Sequence, residues 1–202
     1  MAFQEVVYRP VFGRALAVIT VVVCAVGIVA LFWGDVAAGL RYAWPIVLVA
    51  VLAWALFWRP SLRVQQHGIT VENVLRTYFV PWPAIREIDT RYALTLRTSR
   101  RTVSVWAAPA PGRHRTLGLA SKDFEGVGES AKGEYGELRP ADAVSTPSGN
   151  LAQLIRGRWE ELRDAGLLAA GEDPDAETVT WHGATVAVLA LLAGATVVGL
   201  LI

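Results

Sequence analysis

The stretch WRPSLRVQQHGITVEN, from Trp58 to Asn73, begins at the polar end of a long apolar run and turns at once into alternating apolar and polar residues. Apolar residues at every second position, in 62–64 and again in 69–71, predict two half-buried strands, and His67-Gly68 between them predicts a hairpin. Proline cannot continue the hydrogen bonding of a helix, and arginine favours the membrane interface. We therefore expect a membrane helix to end at Arg59-Pro60 and a small sheet to begin directly after it.

The composition points to a membrane protein. The chain has 202 residues, of which 53% are hydrophobic, and a mean hydropathy of +0.39, which is high for a soluble domain. Three runs carry no charged residue, namely 15–33, 43–58 and 184–202. A helix of roughly 20 residues crosses a bilayer, so each run predicts a transmembrane helix, the short second one with Arg41 and Arg59 extending towards the interface.

Tryptophans mark the ends of these runs, at Trp33, Trp44, Trp58 and Trp181, as expected for side chains that prefer the headgroup region. Residues 34–42 predict a short outer loop, so the first two helices should form an antiparallel hairpin. Tryptophans of a soluble core are the alternative explanation.

Basic residues predict the orientation. Arg9 and Arg14 precede the first run and Arg59 follows the second, whereas Arg41 is the one basic residue of the hairpin loop. The positive-inside rule then places the tail 1–14 and the centre of the chain in the cytoplasm. The prediction is a multi-pass protein of the cell membrane with a cytoplasmic main domain.

A cleaved secretory signal is a competing interpretation, because Val36-Ala37-Ala38 resembles a cleavage site. The apolar core of 15–33 is long for such a signal. A lipoprotein signal at Cys24 is disfavoured by the bulky Val23. The single cysteine excludes an internal disulfide and agrees with a reducing compartment.

The region between the second and third runs has two oppositely charged halves. Residues 59–115 contain ten Arg and three acidic residues, a net charge of +7, and residues 116–183 contain six basic and thirteen acidic residues, a net charge of −7. Either the halves attract each other or the basic half attracts another molecule.

The basic half predicts about six short antiparallel strands, which favours a half-open barrel or sandwich. Residues 112–147 are rich in Gly, Pro, Ser and acidic residues and predict a largely disordered insertion, with one further strand at 117–119 as an alternative. An amphipathic helix is predicted over 148–166 with Ser148 as its N-cap, and 167–183 predicts an acidic linker.

Strands followed by one closing helix are the plan of the pleckstrin-homology (PH) superfold, and several motifs resemble the bacterial PH-like domain family of small membrane proteins from high-GC Gram-positive bacteria. The motifs are WRPSLRVQQHGITVENVLRTYFVPWPAIREID (58–89), ALTLRT and VSVWAAPAPG, within residues 44–112. The resemblance implies an α+β membrane protein. Its cytoplasmic domain, residues 59–166, is a small antiparallel PH-like β-barrel with a C-terminal helix, flanked by a transmembrane hairpin and a C-terminal transmembrane helix.

The resemblance brings no active site with it. In eukaryotic relatives a basic loop between the first two strands binds lipid headgroups, but the corresponding turn QQHG lacks Lys and Arg. Basic residues cluster instead in the hairpin at 97–101 and just beyond the last strand, and they are the candidate contacts with anionic lipid or a partner: Arg97, Arg100, Arg101, Arg113 and Arg115. A solvated hairpin tip, or pairing with the acidic residues, is the structural alternative.

Motifs for chemistry are absent from the sequence. The three histidines, His67, His114 and His182, are widely separated, and neither a phosphate-binding loop nor a nucleophile elbow occurs. We expect no catalysis, no cofactor, no metal and no nucleic acid. The prediction is a membrane-anchored module that docks a partner protein at the cytoplasmic face, and the alternative is a sensor of anionic lipid or a small ligand that uses the Arg-rich hairpin.

Overall fold

A computed structural model of the chain describes residues 5–90, 93–109, 143, 146–170 and 176–201. In chain order its elements are β1 (Val6–Tyr8), α1 (Val11–Gly34), α2 (Val36–Ala53), β2 (Ser61–Val64), β3 (Gly68–Glu72), β4 (Arg76–Pro81), β5 (Ile85–Asp89), β6 (Ala93–Thr98), β7 (Thr102–Pro109), α3 (Pro147–Asp164), α4 (Leu167–Ala170), β8 (Thr178–Trp181) and α5 (Gly183–Leu201). A π-helical turn, Trp54–Trp58, continues α2, and a 3-10 turn, Trp82–Ala84, joins β4 to β5.

The chain divides into two compact units. The helical unit comprises residues 9–60, 73–77 and 180–202, and the sheet unit comprises residues 1–8, 61–72 and 78–179.

Three helices of the helical unit are long and apolar enough to cross a membrane: α1, α2 with its π-helical turn, and α5. The three predicted apolar runs are therefore helical, but their bounds differ from the prediction. The second helix begins at Val36 and reaches 23 residues with the turn Trp54–Trp58, so it is long enough for a span.

The predicted outer loop 34–42 is corrected by the structure, because only Asp35 separates α1 from α2. The Asp35 backbone is extended, with φ −154° and ψ 122°, and its carboxylate accepts a hydrogen bond of 2.9 Å from the Ala37 amide. This N-cap satisfies a free amide of the first turn, so α2 begins immediately.

The second helix lies between the other two and contacts both α1 and α5. Arg41, in α2, donates a 3.1 Å hydrogen bond to the carbonyl of Gly199 near the end of α5. Arg59, which follows the π-helical turn, donates to the hydroxyl of Thr185 at the start of α5. These two contacts show that α5 is antiparallel to α2.

The sheet unit contains the six predicted strands in the predicted succession, as β2 to β7, and two strands that the sequence did not reveal. β1 lies in the predicted N-terminal tail and pairs antiparallel with β2, with Val6 opposite Val64. β8 lies in the predicted acidic linker, which also contains α4. Both segments therefore contain regular secondary structure.

The strands form two sheets, one in the order β1-β2-β3-β4-β8 and one in the order β5-β6-β7. The predicted barrel is corrected accordingly, since no closed barrel is found among the described strands. The chain leaves the first sheet at Pro81 and passes through the turn Trp82–Ala84, which contains Pro83. Prolines lack the amide that a strand ladder needs, so pairing stops there.

The core of the sheet unit lies between the two sheets and α3. Its fully buried members are, among others, Leu62, Val64, Ile69, Val71, Leu94, Leu96, Val103, Val105 and Ile155. Helix α3 packs on β5, β6 and β7 through the predicted apolar stripe, which includes Leu151, Ile155 and Leu162. The predicted amphipathic helix thus covers one face of the three-stranded sheet.

The N-cap of α3 is Thr146 rather than the predicted Ser148. Thr146 has an extended backbone, and its hydroxyl accepts a 3.0 Å hydrogen bond from the Gly149 amide. Pro147 follows at the first helical position, where its fixed φ suits the helix. The helix ends at Asp164, and Gly166 follows with φ +69°. Of the predicted insertion 112–147, only residues 143, 146 and 147 lie within the described part.

Candidate functional site

The predicted Arg-rich hairpin is present as the turn between β6 and β7. The Thr98 hydroxyl accepts hydrogen bonds from the amides of Arg100 and Arg101, at 3.2 and 3.0 Å. The Thr98 amide also donates to the Arg101 carbonyl at 2.9 Å. A hydroxyl that binds the backbone two and three residues onward is typical of a tight turn. Arg97 is therefore in the last, turn-proximal part of β6, and Arg100 and Arg101 are in the turn itself.

Arg97 pairs with carboxylates of the neighbouring strand. Its guanidinium nitrogens lie 3.4 Å from Glu87 Oε2 and 3.5 Å from Asp89 Oδ2, both on β5. The Arg97 side chain is half exposed, whereas Asp89 is buried. These cross-strand contacts offset much of the Arg97 charge.

Arg101 pairs with Glu177, which directly precedes β8. Arg101 Nε lies 2.9 Å from Glu177 Oε2, and the Glu177 side chain is only 1% exposed. The contact is an ion pair that is not aligned as a hydrogen bond. A residue of the basic half thus pairs with a residue of the acidic half, which agrees with one of the two alternatives that the charge pattern left open. Arg113 and Arg115, the other two candidates, lie outside the described residues.

A second surface feature lies on β7. The side chains of Thr102, Ser104 and Trp106 are exposed, and those of Val103 and Val105 are buried. Trp106 is exposed over 56% of its surface. In the described part of the sheet unit, the other exposed large hydrophobic side chains are Val7 and Leu167.

Sequence reasoning missed a third feature, in the helical unit. Three arginines lie over three indole rings: Arg14 over Trp58 with 4.5 Å from Cζ to the ring centroid, Arg59 over Trp54 at 5.6 Å, and Arg76 over Trp181 at 3.5 Å. We call these six residues the arginine–tryptophan girdle. The sequence placed Trp58 and Trp181, but not Trp54, near a membrane interface. Only the pair of Trp54 and Arg59 is close enough in sequence to be found without a structure.

A clasp around His182 holds one part of this girdle together. The His182 amide donates a 2.9 Å hydrogen bond to the Leu75 carbonyl, and the ring Nε2 lies 2.8 Å from the Thr77 hydroxyl. The segment 73–77 is therefore fixed to the start of α5. The clasp therefore positions Arg76, which lies between Leu75 and Thr77, beside Trp181.

Metal-ligating side chains do not converge in the described ranges, where no group of three or more His, Cys, Asp or Glu side chains could hold an ion. His182 serves the clasp, and Cys24 is buried within α1.

Comparison with known proteins concerns the centre of the chain. Residues 59–141 match the family described as Bacterial PH domain. The matched segment contains β2 to β7, the strands that carry the core of the sheet unit. The match supports a bacterial PH-like domain here, a class that is typically not catalytic. No curated protein and no solved structure matches the chain significantly.

Proposed function

We propose that this chain is a membrane-anchored interaction module whose PH-like domain docks a partner protein at the cytoplasmic face, without catalysis. The match to the PH family and the three apolar helices support such a module. The cytoplasmic orientation is supported by Arg9, Arg14 and Arg59, which lie beside the ends of the first two spans.

The observation that carries the docking proposal is the exposed indole of Trp106. Trp106 belongs to a regular strand whose neighbouring residues, Val105 and Ala107, are buried, so its position is fixed by the core. Tryptophan on a rigid strand loses little conformational entropy on binding and is among the residue types most enriched at interaction hot spots. We infer that the face of β7 around Trp106 contacts the partner.

The alternative function, binding of anionic lipid by the hairpin arginines, is less favoured. Arg97 and Arg101 already contact carboxylates, and those contacts would compete with a lipid phosphate. The two ion pairs suit a structural role in the sheet unit.

The test is in-membrane crosslinking of the tagged full-length chain, identification of the crosslinked protein, and measurement of its direct binding to the purified chain. We expect Trp106→Ala to weaken this binding by roughly 30-fold, the loss typical of a hot-spot residue. Leu167→Ala is the matched control, because it removes another exposed apolar side chain from the same unit.

Two outcomes would refute the proposal. One is binding that Trp106→Ala leaves unchanged, and the other is an equal loss with Leu167→Ala. A partner recovered equally with a chain that lacks residues 61–166 would also count against docking by the PH-like domain.

A further inference from the structure

We infer that the arginine–tryptophan girdle binds the phosphate of an anionic phospholipid at the end of the helical unit where α1 and α5 begin. The proposal assigns lipid binding to Arg14, Arg59 and Arg76, none of which belongs to the Arg-rich hairpin. It does not depend on the docking of a partner protein.

The three pairs lie at the same end of the helices. Arg14 is in the first turn of α1, and its partner Trp58 is the last residue of the π-helical turn that continues α2. Arg59 follows immediately and binds Thr185 in the first turn of α5. The clasp at His182 places Arg76 beside that turn. A continuous series of contacts thus connects the three guanidinium groups.

The charge at this end is not balanced within the helical unit. Its segments contain five arginines and one acidic residue, Asp35, which caps α2 at the opposite end of the helices. No ion pair in the described part of the chain involves Arg14 or Arg76. Arg97 and Arg101 of the sheet unit, by contrast, both contact carboxylates. The positive charges of Arg14 and Arg76 therefore lie at the end of the helices where α1 and α5 begin, without a carboxylate partner among the described residues.

The geometry of the pairs suits a phosphate ligand. The Arg76 guanidinium carbon is 3.5 Å from the Trp181 centroid, which is stacking distance, and Trp181 is 59% exposed. Stacking occupies the face of a guanidinium and leaves the N–H groups at its edge to bind phosphate oxygens. Indole rings also settle at headgroup depth, so each ring holds its arginine at the level of lipid phosphates.

Lipid binding can be measured by native mass spectrometry of the full-length chain in detergent, titrated with phosphatidylglycerol or with zwitterionic phosphatidylcholine. We expect preferential retention of phosphatidylglycerol. Arg14→Gln and Arg76→Gln should each weaken that retention about fivefold, since one basic residue near an anionic surface contributes about that factor.

The matched control is Arg163→Gln. Arg163 lies 5.3 Å over Trp159 on α3, so this change removes the same kind of pair and the same charge from the sheet unit. It should leave lipid retention unchanged. Arg76→Lys keeps the charge but loses the planar stack, and it should lose less affinity than Arg76→Gln.

Equal retention of both lipids would overturn the proposal, and so would an equal loss with Arg163→Gln. Inorganic phosphate that displaces phosphatidylglycerol at millimolar concentration would show a site for free phosphate instead. If Arg14→Gln does not give a monodisperse protein, Arg76→Gln decides the question, because Arg76 lies at the start of β4 and outside the spans. Loss of partner docking in Trp106→Ala with normal lipid retention would separate the two proposals.

Discussion

Glu177 Oε2 lies 2.9 Å from Arg101 Nε, so this contact joins the residue directly before β8 to the hairpin between β6 and β7. The Glu177 side chain is almost fully buried, whereas that of Arg101 is 34% exposed. A buried carboxylate without a cation destabilises the folded state. The pair therefore matters mainly because removal of Arg101 would leave the Glu177 carboxylate buried and unpaired.

We expect Arg101→Gln to destabilise the sheet unit by about 2 kcal/mol, because it leaves the Glu177 carboxylate buried and unpaired. The midpoint of thermal unfolding in detergent measures the change. Arg163→Gln is the comparison, and it should cost less than about 1 kcal/mol because Arg163 and its partner Asp164 are both more than half exposed. An equal loss of stability in both variants would show that the burial of Glu177 does not raise the cost of removing its partner.

Gly68 is required by a close approach between strands. A Cβ at this position would lie 2.5 Å from the Val80 carbonyl oxygen and 2.9 Å from Pro81 Cα, both backbone atoms. We expect Gly68→Ala to destabilise the sheet unit by about 1 to 3 kcal/mol, as overpacking usually does.

Gly157→Ala is the control for Gly68→Ala, since nothing lies within 4 Å of the added Cβ and alanine favours the helix α3. It should raise stability by up to about 1 kcal/mol. Both variants can be followed by thermal unfolding, and a stable Gly68→Ala protein would show that β3 and β4 can separate without cost.

Gly199 permits the contact between α2 and α5. A Cβ there would lie 2.7 Å from the Arg41 carbonyl oxygen, whereas the same group at Gly194 would meet nothing within 4 Å. We expect Gly199→Ala to lower the thermal midpoint in detergent and Gly194→Ala to leave it unchanged or raise it. Small residues let membrane helices approach closely, so the loss reflects helix separation.

Thr146 caps α3, and Thr146→Ala should cost about 1 to 2 kcal/mol because the Gly149 amide loses its acceptor. Asn150→Ala is the control, since Asn150 is exposed in the first turn. Chemical denaturation with circular dichroism compares the two. Equal stability of both variants would mean that Thr146 does not determine where the helix begins.

Membrane orientation is tested by reporter fusions after Gly112 and after Ile202. The basic residues beside the first two apolar helices predict a cytoplasmic signal for the first fusion. An outside signal is expected for the second, because the third apolar helix lies between the two fusion points. An outside signal at Gly112 would remove the cytoplasmic docking proposal. The lipid-binding proposal would remain, since the girdle lies at one end of the helices in either orientation.

The sequence alone determined the three long apolar helices, the succession of strands β2 to β7 and the apolar stripe of α3. Each of these depends on a local pattern, either a long apolar run or a period of two or 3.6 residues. The hairpin at Thr98 to Arg101 was equally visible, because its turn and its alternating neighbours lie within a short segment.

Only the tertiary structure decided which distant segments meet. Strand β1 has three residues, too few for a recognisable period, and it is a strand because Val6 pairs with Val64. Arg76 contacts Trp181 because the His182 clasp joins the segment 73–77 to the start of α5, more than a hundred residues further along the chain. Such pairings depend on packing of the whole chain rather than on local propensity, which is why the girdle could not be predicted from its residues.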